Sequence, residues 1–256
     1  MPQSLLTLLP PRMSIQSRLT LALSLLLSVN LLLTPLAYGQ DKNKAFDTPQ
    51  TPEADMHYLF EGRDFHKKGD LNSAMQSFKE LARIRPNNLA VHFWIGLIYD
   101  ETNNTKSAMD EYATCLKLAA SVNMDAPELR INLGNSLARE NYNKEALFDF
   151  RRAIEIDKRY TLANLGLAKS LLATGDYDSA LTAADLYQRA GGNDINLYLI
   201  KGLALACKGS SQEASTHLKM YLQGARAKDN ATTGGNTTAA VMLLAIATLR
   251  EIELAP

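Results

Sequence analysis

The chain has 256 residues, 46% of them hydrophobic and 21% charged, with a formal net charge of zero. That is a globular composition with ample apolar surface to bury, and no Lys/Arg run marks a nucleic-acid-binding surface. Beyond Gly39 there are 25 basic side chains against 27 acidic ones, and so near-neutral a body argues against an electrostatic role on DNA or on membranes.

In chain order, the first feature is a targeting segment. Arg12 and Arg18 precede an apolar stretch from Leu19 to Leu33, followed by Pro35 and then Ala37-Tyr38-Gly39. A positive region, an apolar region and a small-x-small site, in that order, predict a secretory signal over residues 1–39, cut after Gly39. Met13 opens a compact signal of its own and is a second candidate start. The expected destination is therefore the periplasm or the exterior. The alternative is an uncleaved anchor, with membrane contact through this segment alone; the apolar run falls short of the roughly 20 residues of a span. Residues 40–54 are polar, carry Pro49 and Pro52, and read as a flexible linker.

From residue 55 a repeat takes over. Small residues recur at Gly62, Gly96, Gly134, Ala168 and Gly202. A second column is Ala74, Ala108, Ala146, Ala180 and Ala214; a third is Phe65, Tyr99, Leu137, Leu171 and Leu205; a fourth is Phe78, Tyr112, Phe150, Ala184 and Leu218. Between them runs a turn column, Gly69, Asn103, Asn141, Gly175 and Gly209. The small residue and the aromatic or aliphatic one three later share a helical face. The Gly or Asn four later can end that helix in a left-handed conformation. Ala and a bulky residue four apart then define the face of a second helix. Each unit is a helix–turn–helix that cannot bury its own apolar face, and stacking supplies the missing core.

Tyr58, Gly62, Phe65, Gly69-Asp70, Leu71, Ala74, Phe78 and Pro86 resemble the tetratricopeptide consensus, as do Gly175-Asp176-Tyr177 and Ala180. The 34-residue step is that family's length. The resemblance implies an all-α, right-handed superhelical solenoid of about five units, at 55–88, 89–122, 127–160, 161–194 and 195–228. Glu61 and Lys201 stand where an apolar residue is expected, and Ala184 where a ring is usual. A four-residue insertion, Asn123 to Ala126, is expected to lengthen one loop, with Asp125 capping the next helix ahead of Pro127 and Glu128. Ala225 to Thr238 reads as a loop, and residues 239–253 as a last helix that caps the stack or enters its groove.

In this family the concave face is lined mainly by the first helix of each unit. One column there is Leu59, Phe93, Ile131, Leu165 and Leu199; four residues on come Arg63, Leu97, Asn135, Lys169 and Leu203. Together they predict an apolar floor with scattered polar groups, suited to an amphipathic helix or an extended apolar peptide. The competing reading makes the first column core between helices, and solvent exposure separates the two. Trp94 beside Phe93 is either a partner anchor or packing. Some family members clamp a chaperone's carboxy terminus with Lys, Asn and Arg; Leu59 and Ile131 occupy the lysine's place, so that mode is not expected.

Catalytic signatures are missing from the sequence. His57, His66, His92 and His217 lack the spacing of a metal site, no Gly-x-Ser-x-Gly elbow occurs, and no cofactor or metal is expected. Cys115 and Cys207 fall in different units and read as buried free thiols. The expected function is a non-enzymatic scaffold in the cell envelope. It would hold a protein or peptide in the groove, with a role in assembling an envelope complex. The alternatives are self-assembly through exposed solenoid ends and, less favoured, an enzyme or ligand carrier using Arg63, His66, Asp100 and Arg139.

Overall fold

The computed structural model of the chain describes residues 56–229 and, near the carboxy terminus, residues 245, 246, 248–250 and 252. The signal segment 1–39, the linker 40–54 and the stretch 230–238 lie outside the described residues, as do the other positions of the helix expected over 239–253. The described chain is all-α, without strands. Its helices are α1 (Met56–Lys67), α2 (Leu71–Ile84), α3 (Leu89–Glu101), α4 (Thr105–Ser121), α5 (Pro127–Arg139), α6 (Asn143–Ile156), α7 (Thr161–Thr174), α8 (Tyr177–Arg189), α9 (Asn196–Lys208) and α10 (Ser211–Asp229). Each odd-numbered helix packs on the even one after it, giving consecutive helical hairpins.

Two compact units divide the chain, one ending at Lys158 and the other beginning at Arg159. The first contains α1 to α6; α2 packs on α3, α4 packs on α5, and α3 also meets α5. The second contains α7 to α10, with α8 packed on α9 and α7 meeting α9.

The turn column explains why each hairpin reverses. Gly69, Asn103, Asn141, Gly175 and Gly209 all have positive φ, between 62° and 84°. That left-handed conformation costs glycine little and is tolerated by asparagine. In α2, α4 and α8 the next residue caps the second helix. Asp70 accepts from the Ser73 amide at 3.1 Å, Asn104 from Ser107 at 3.4 Å and Asp176 from Ser179 at 3.2 Å. One dipeptide thus ends a helix and starts the next.

Close approach comes from the small column. A Cβ placed on Gly62 would lie 2.6 Å from the Phe78 ring, and one on Gly96 would lie 2.7 Å from Tyr112. Gly134 meets Phe150 and Gly202 meets Leu218 in the same register. Phe78, Tyr112 and Phe150 are fully buried, the two phenylalanines each worth about 1.5–3 kcal/mol of apolar burial. In the fourth hairpin the matching positions hold Ala168 and Ala184, both fully buried, a methyl in place of the glycine and a methyl in place of the ring.

Three expectations are corrected. The insertion mostly lengthens a helix: α4 has 17 residues where α2 and α6 have 14. Three added residues are close to one helical turn, so the apolar face is kept. Asp125 is not the cap of α5, whose N-cap is Ala126 without a side-chain bond. Instead Asp125 receives Arg130 and Arg152, at 2.9 and 2.8 Å, tying the longer connection to α5 and α6. The loop expected from Ala225 also begins late, because α10 continues to Asp229.

Near the carboxy terminus, Ala245, Thr248 and Leu249 are buried and Arg250 is exposed, one covered helical stripe and one wet one. Cys115 and Cys207 are both buried, and neither is in a disulfide. Burial pushes the Cys115 thiol up to about 12, which removes thiolate reactivity at neutral pH.

Candidate functional site

The first helices of the hairpins present two kinds of position. Leu59, Phe93, Ile131, Leu165 and Leu199 are at most 1% exposed and pack as core, offering no surface to a partner. Arg63, Leu97 and Asn135 are half-buried and reach the surface from α1, α3 and α5. In the second unit Lys169 and Leu203 are buried. Burial pushes the Lys169 ammonium below its ordinary pKa, against the pull of Asp194.

Polar groups fill the gaps between these helices. His66 Nε2 donates to both carboxylate oxygens of Glu101, at 3.0 and 2.9 Å, linking α1 to α3. Asp100 is gripped from α5 by the Ser136 hydroxyl at 2.9 Å and by the Arg139 guanidinium. Burial lowers the Arg139 pKa, and two of its nitrogens, Nε and Nη1, have no acceptor. Of the four residues that might have formed a catalytic cluster, Arg63 and His66 share a pocket while Asp100 and Arg139 pair with each other. In the second unit Lys201 reaches Asp185 and Gln188, both at 2.6 Å. That explains a lysine in an apolar column: its stem packs while its ammonium finds partners on α8.

The pocket lies between α1 and α3, measures about 260 Å³ and is widely open to solvent. Its lining is Phe60, Arg63, Asp64, His66, Lys67 and Trp94. Trp94 is only 4% exposed; it stacks on Phe78 at 5.7 Å and meets His66 edge-on at 5.3 Å. The Arg63 guanidinium lies over the indole, 5.6 Å from the ring centroid, a cation–π contact. The indole Nε1 has no hydrogen-bond partner. Phe60, by contrast, is 56% exposed at the rim.

Phe60 and Lys67 escaped the sequence reading. A usable signal existed, since Phe60 occupies in its unit the place of Trp94 and Asn132 in the next two. Those homologous positions are buried, and only the first unit leaves its ring open.

A different feature joins α5 to α6 in the third hairpin. Arg130 joins Asp125 to Asp149 at 2.9 and 2.8 Å and also lies 5.9 Å from the Phe148 ring centroid. Burial raises the Asp149 pKa, partly offset by Arg130. At Asp125 burial pushes the same way, but the two arginines outweigh it and hold the carboxyl below its ordinary value. Phe148 is 63% exposed on α6. Among the described residues no group of three or more His, Cys, Asp or Glu side chains could hold a metal ion. None of the described helices is long and apolar enough to cross a membrane.

Comparison with known proteins agrees with this architecture. Tetratricopeptide repeat models match residues 89–121 and 137–203, so the chain carries tetratricopeptide repeats. Anaphase-promoting complex subunit 3 of Schizosaccharomyces pombe is 22% identical over 151 residues, 59% of this chain. The match spans only 22% of the length of that protein. Among solved structures, a MamA protein superposes with a TM-score of 0.59 at 23% identity, covering 70% of this chain and 96% of its own. YrrB, described as a TPR protein with an unusual peptide-binding site, gives 0.59 at 18% identity, with 75% and 90% covered. Pseudomonas aeruginosa pilF gives 0.57 at 17%, with 78% and 87% covered. At these identities the likeness is one of fold.

Proposed function

We propose that this chain is a non-catalytic interaction scaffold that holds a peptide or helix of another protein on the first-helix face of its repeats. The observation that carries this is the division of labour on α1, α3 and α5. The inner column is spent on core, while Arg63, Leu97, Asn135 and the pocket beside Trp94 face outward at one-unit intervals. Regular spacing of mixed polar and apolar anchors suits an elongated ligand. The tetratricopeptide repeats support the same reading, as does a similar fold in a protein described by its peptide-binding site. The amino-terminal signal pattern supports work outside the cytoplasm, in the cell envelope or beyond.

A photo-crosslinking amino acid placed at Leu97 or Asn135, and separately at Leu186 on α8, tests the face. Adducts with a partner protein are expected from the first pair and not from position 186. Adducts from position 186 alone would overturn the proposal. The exported form is expected to begin at Gln40 by mass spectrometry; an intact leader on the mature protein would contradict export with cleavage.

A further inference from the structure

We infer that His217 is an acid-sensitive latch on the last hairpin: its protonation loosens α10 from α9 while the earlier hairpins stay closed. The inference stands apart from the scaffold reading, because it concerns when this hairpin is shut rather than what the repeats hold.

The latch is a cluster drawn from three helices. On α10 the His217 ring stacks on Tyr198 of α9, with centroids 6.2 Å apart and planes 21° from parallel. Lys201 follows Tyr198 by three residues and shares its face of α9. Lys201 is buried, and its ammonium reaches Asp185 and Gln188 of α8, both at 2.6 Å. Among the described residues the charges that act on His217 are Lys201, Glu213 and Asp185. Glu213, one turn earlier on α10, is exposed, as is Lys219 two residues on. The phenols of Tyr198 and of Tyr221, one turn later, stay neutral well above neutral pH.

His217 Nδ1 is buried and has no hydrogen-bond partner. A neutral ring can carry its proton on Nε2 instead, but an imidazolium carries one on each nitrogen. Charging the ring therefore buries an N–H without an acceptor. It also sets a second cation beside the Lys201 ammonium. Asp185 and Glu213 pull the other way, but Asp185 already serves Lys201 and Glu213 is screened by water. Tyr198, at 6.2 Å, lies at the limit of the range over which a ring face holds a cation. Burial first, and Lys201 second, accordingly lower the pKa of His217. The folded value lies below the unfolded one, so the neutral ring's contribution is whole above the unfolded value. It is lost as pH falls from there through the folded value. The loss shows in α10, which packs chiefly on α9 at the end of the hairpins, where local opening is easiest. His92, in the other unit, has its pKa raised, so acid tightens that end. Opening α10 lifts Leu218 from Gly202 and bares an apolar face of α9.

Hydrogen exchange of the full chain, read by mass spectrometry at pH 5.5 and pH 7.5 and corrected for intrinsic rates, tests the latch. Peptides of α10 are expected to open at least about threefold more at the lower pH, while those of α2 and α4 do not. His217→Gln is expected to remove the increase in α10. No increase in the wild type, an equal increase in His217→Gln, or an increase spread evenly over all helices would each overturn the inference. If His217→Gln opens α10 at both pH values, the NMR titration of the His217 ring in the wild-type chain decides. A midpoint below that of the same ring in the urea-unfolded chain is expected; an equal or higher midpoint would sink the latch.

Discussion

At the scale of single residues, His92 is the group whose chemistry is most constrained. Its Nδ1 meets Glu111 Oε2 and its Nε2 meets the Pro86 carbonyl, each at 2.7 Å. Both partners accept, so the ring satisfies both only when both nitrogens carry protons. The Glu111 carboxylate is the main cause of a pKa raised above the ordinary 6.5; burial opposes it and Pro86 adds to it. A folded value above the unfolded one means that the stabilisation is complete below the unfolded value. It is lost as pH rises through the folded value. His92 is therefore expected to favour the fold near pH 5.5 over pH 8.5 by an increment on the order of 1 kcal/mol. The increment is measured as the difference in pH dependence of urea stability between wild type and His92→Gln, because His217, whose pKa burial lowers, works in the opposite direction. An identical pH dependence in the variant would show that other groups cause it.

At the scale of elements, the hairpin is a complementarity between a glycine and a ring. Gly96→Ala would put a methyl 2.7 Å from Tyr112, whose ring is fully buried and cannot swing aside. That overpacking is expected to cost about 1–3 kcal/mol in urea unfolding, against about 1 kcal/mol or less for Ala168→Gly in the fourth hairpin, where no ring waits. Equal costs would mean that the column is not a packing device. This rule was legible in the sequence, because small, large and turn columns are each fixed by sterics that repeat in every unit. The five turn residues all adopt the left-handed backbone that their identities suggested. What stayed illegible depends on tertiary neighbours. Leu59 and Phe60 are adjacent and both apolar, yet one is core and the other rim. Asp125 looked like a cap because it precedes a proline, but Arg130 and Arg152 compete for it more strongly. The inserted residues could lengthen a loop or a helix at similar local cost, and the face of α4 decided for the helix.

At the scale of the whole molecule, a repeat array has a testable modularity. Hairpins touch mainly their neighbours, so stability grows by adding interfaces rather than by closing one distant core. The unit ending at Lys158 owns a continuous apolar cluster that runs from Leu59 on α1 through Phe78, Phe93 and Tyr112 to Leu133 on α5. Phe150 and Ala153 of α6 are also fully buried, so the third hairpin is a full member. A fragment of residues 56–158 is therefore expected to fold alone, with helical circular dichroism and a cooperative melt. Residues 56–121 keep only the first two hairpins, fewer than the roughly three that a stable stack requires. They also lose Leu129 and Leu133 from the cluster. That shorter fragment is expected to melt broadly and with less helix per residue. Because α1, α3 and Trp94 belong to both fragments, the tryptophan emission of 56–158 should match that of the full chain while that of 56–121 shifts towards solvent. If the longer fragment is unfolded at room temperature, its core depends on residues beyond Lys158 and the division at that point is not a boundary of stability.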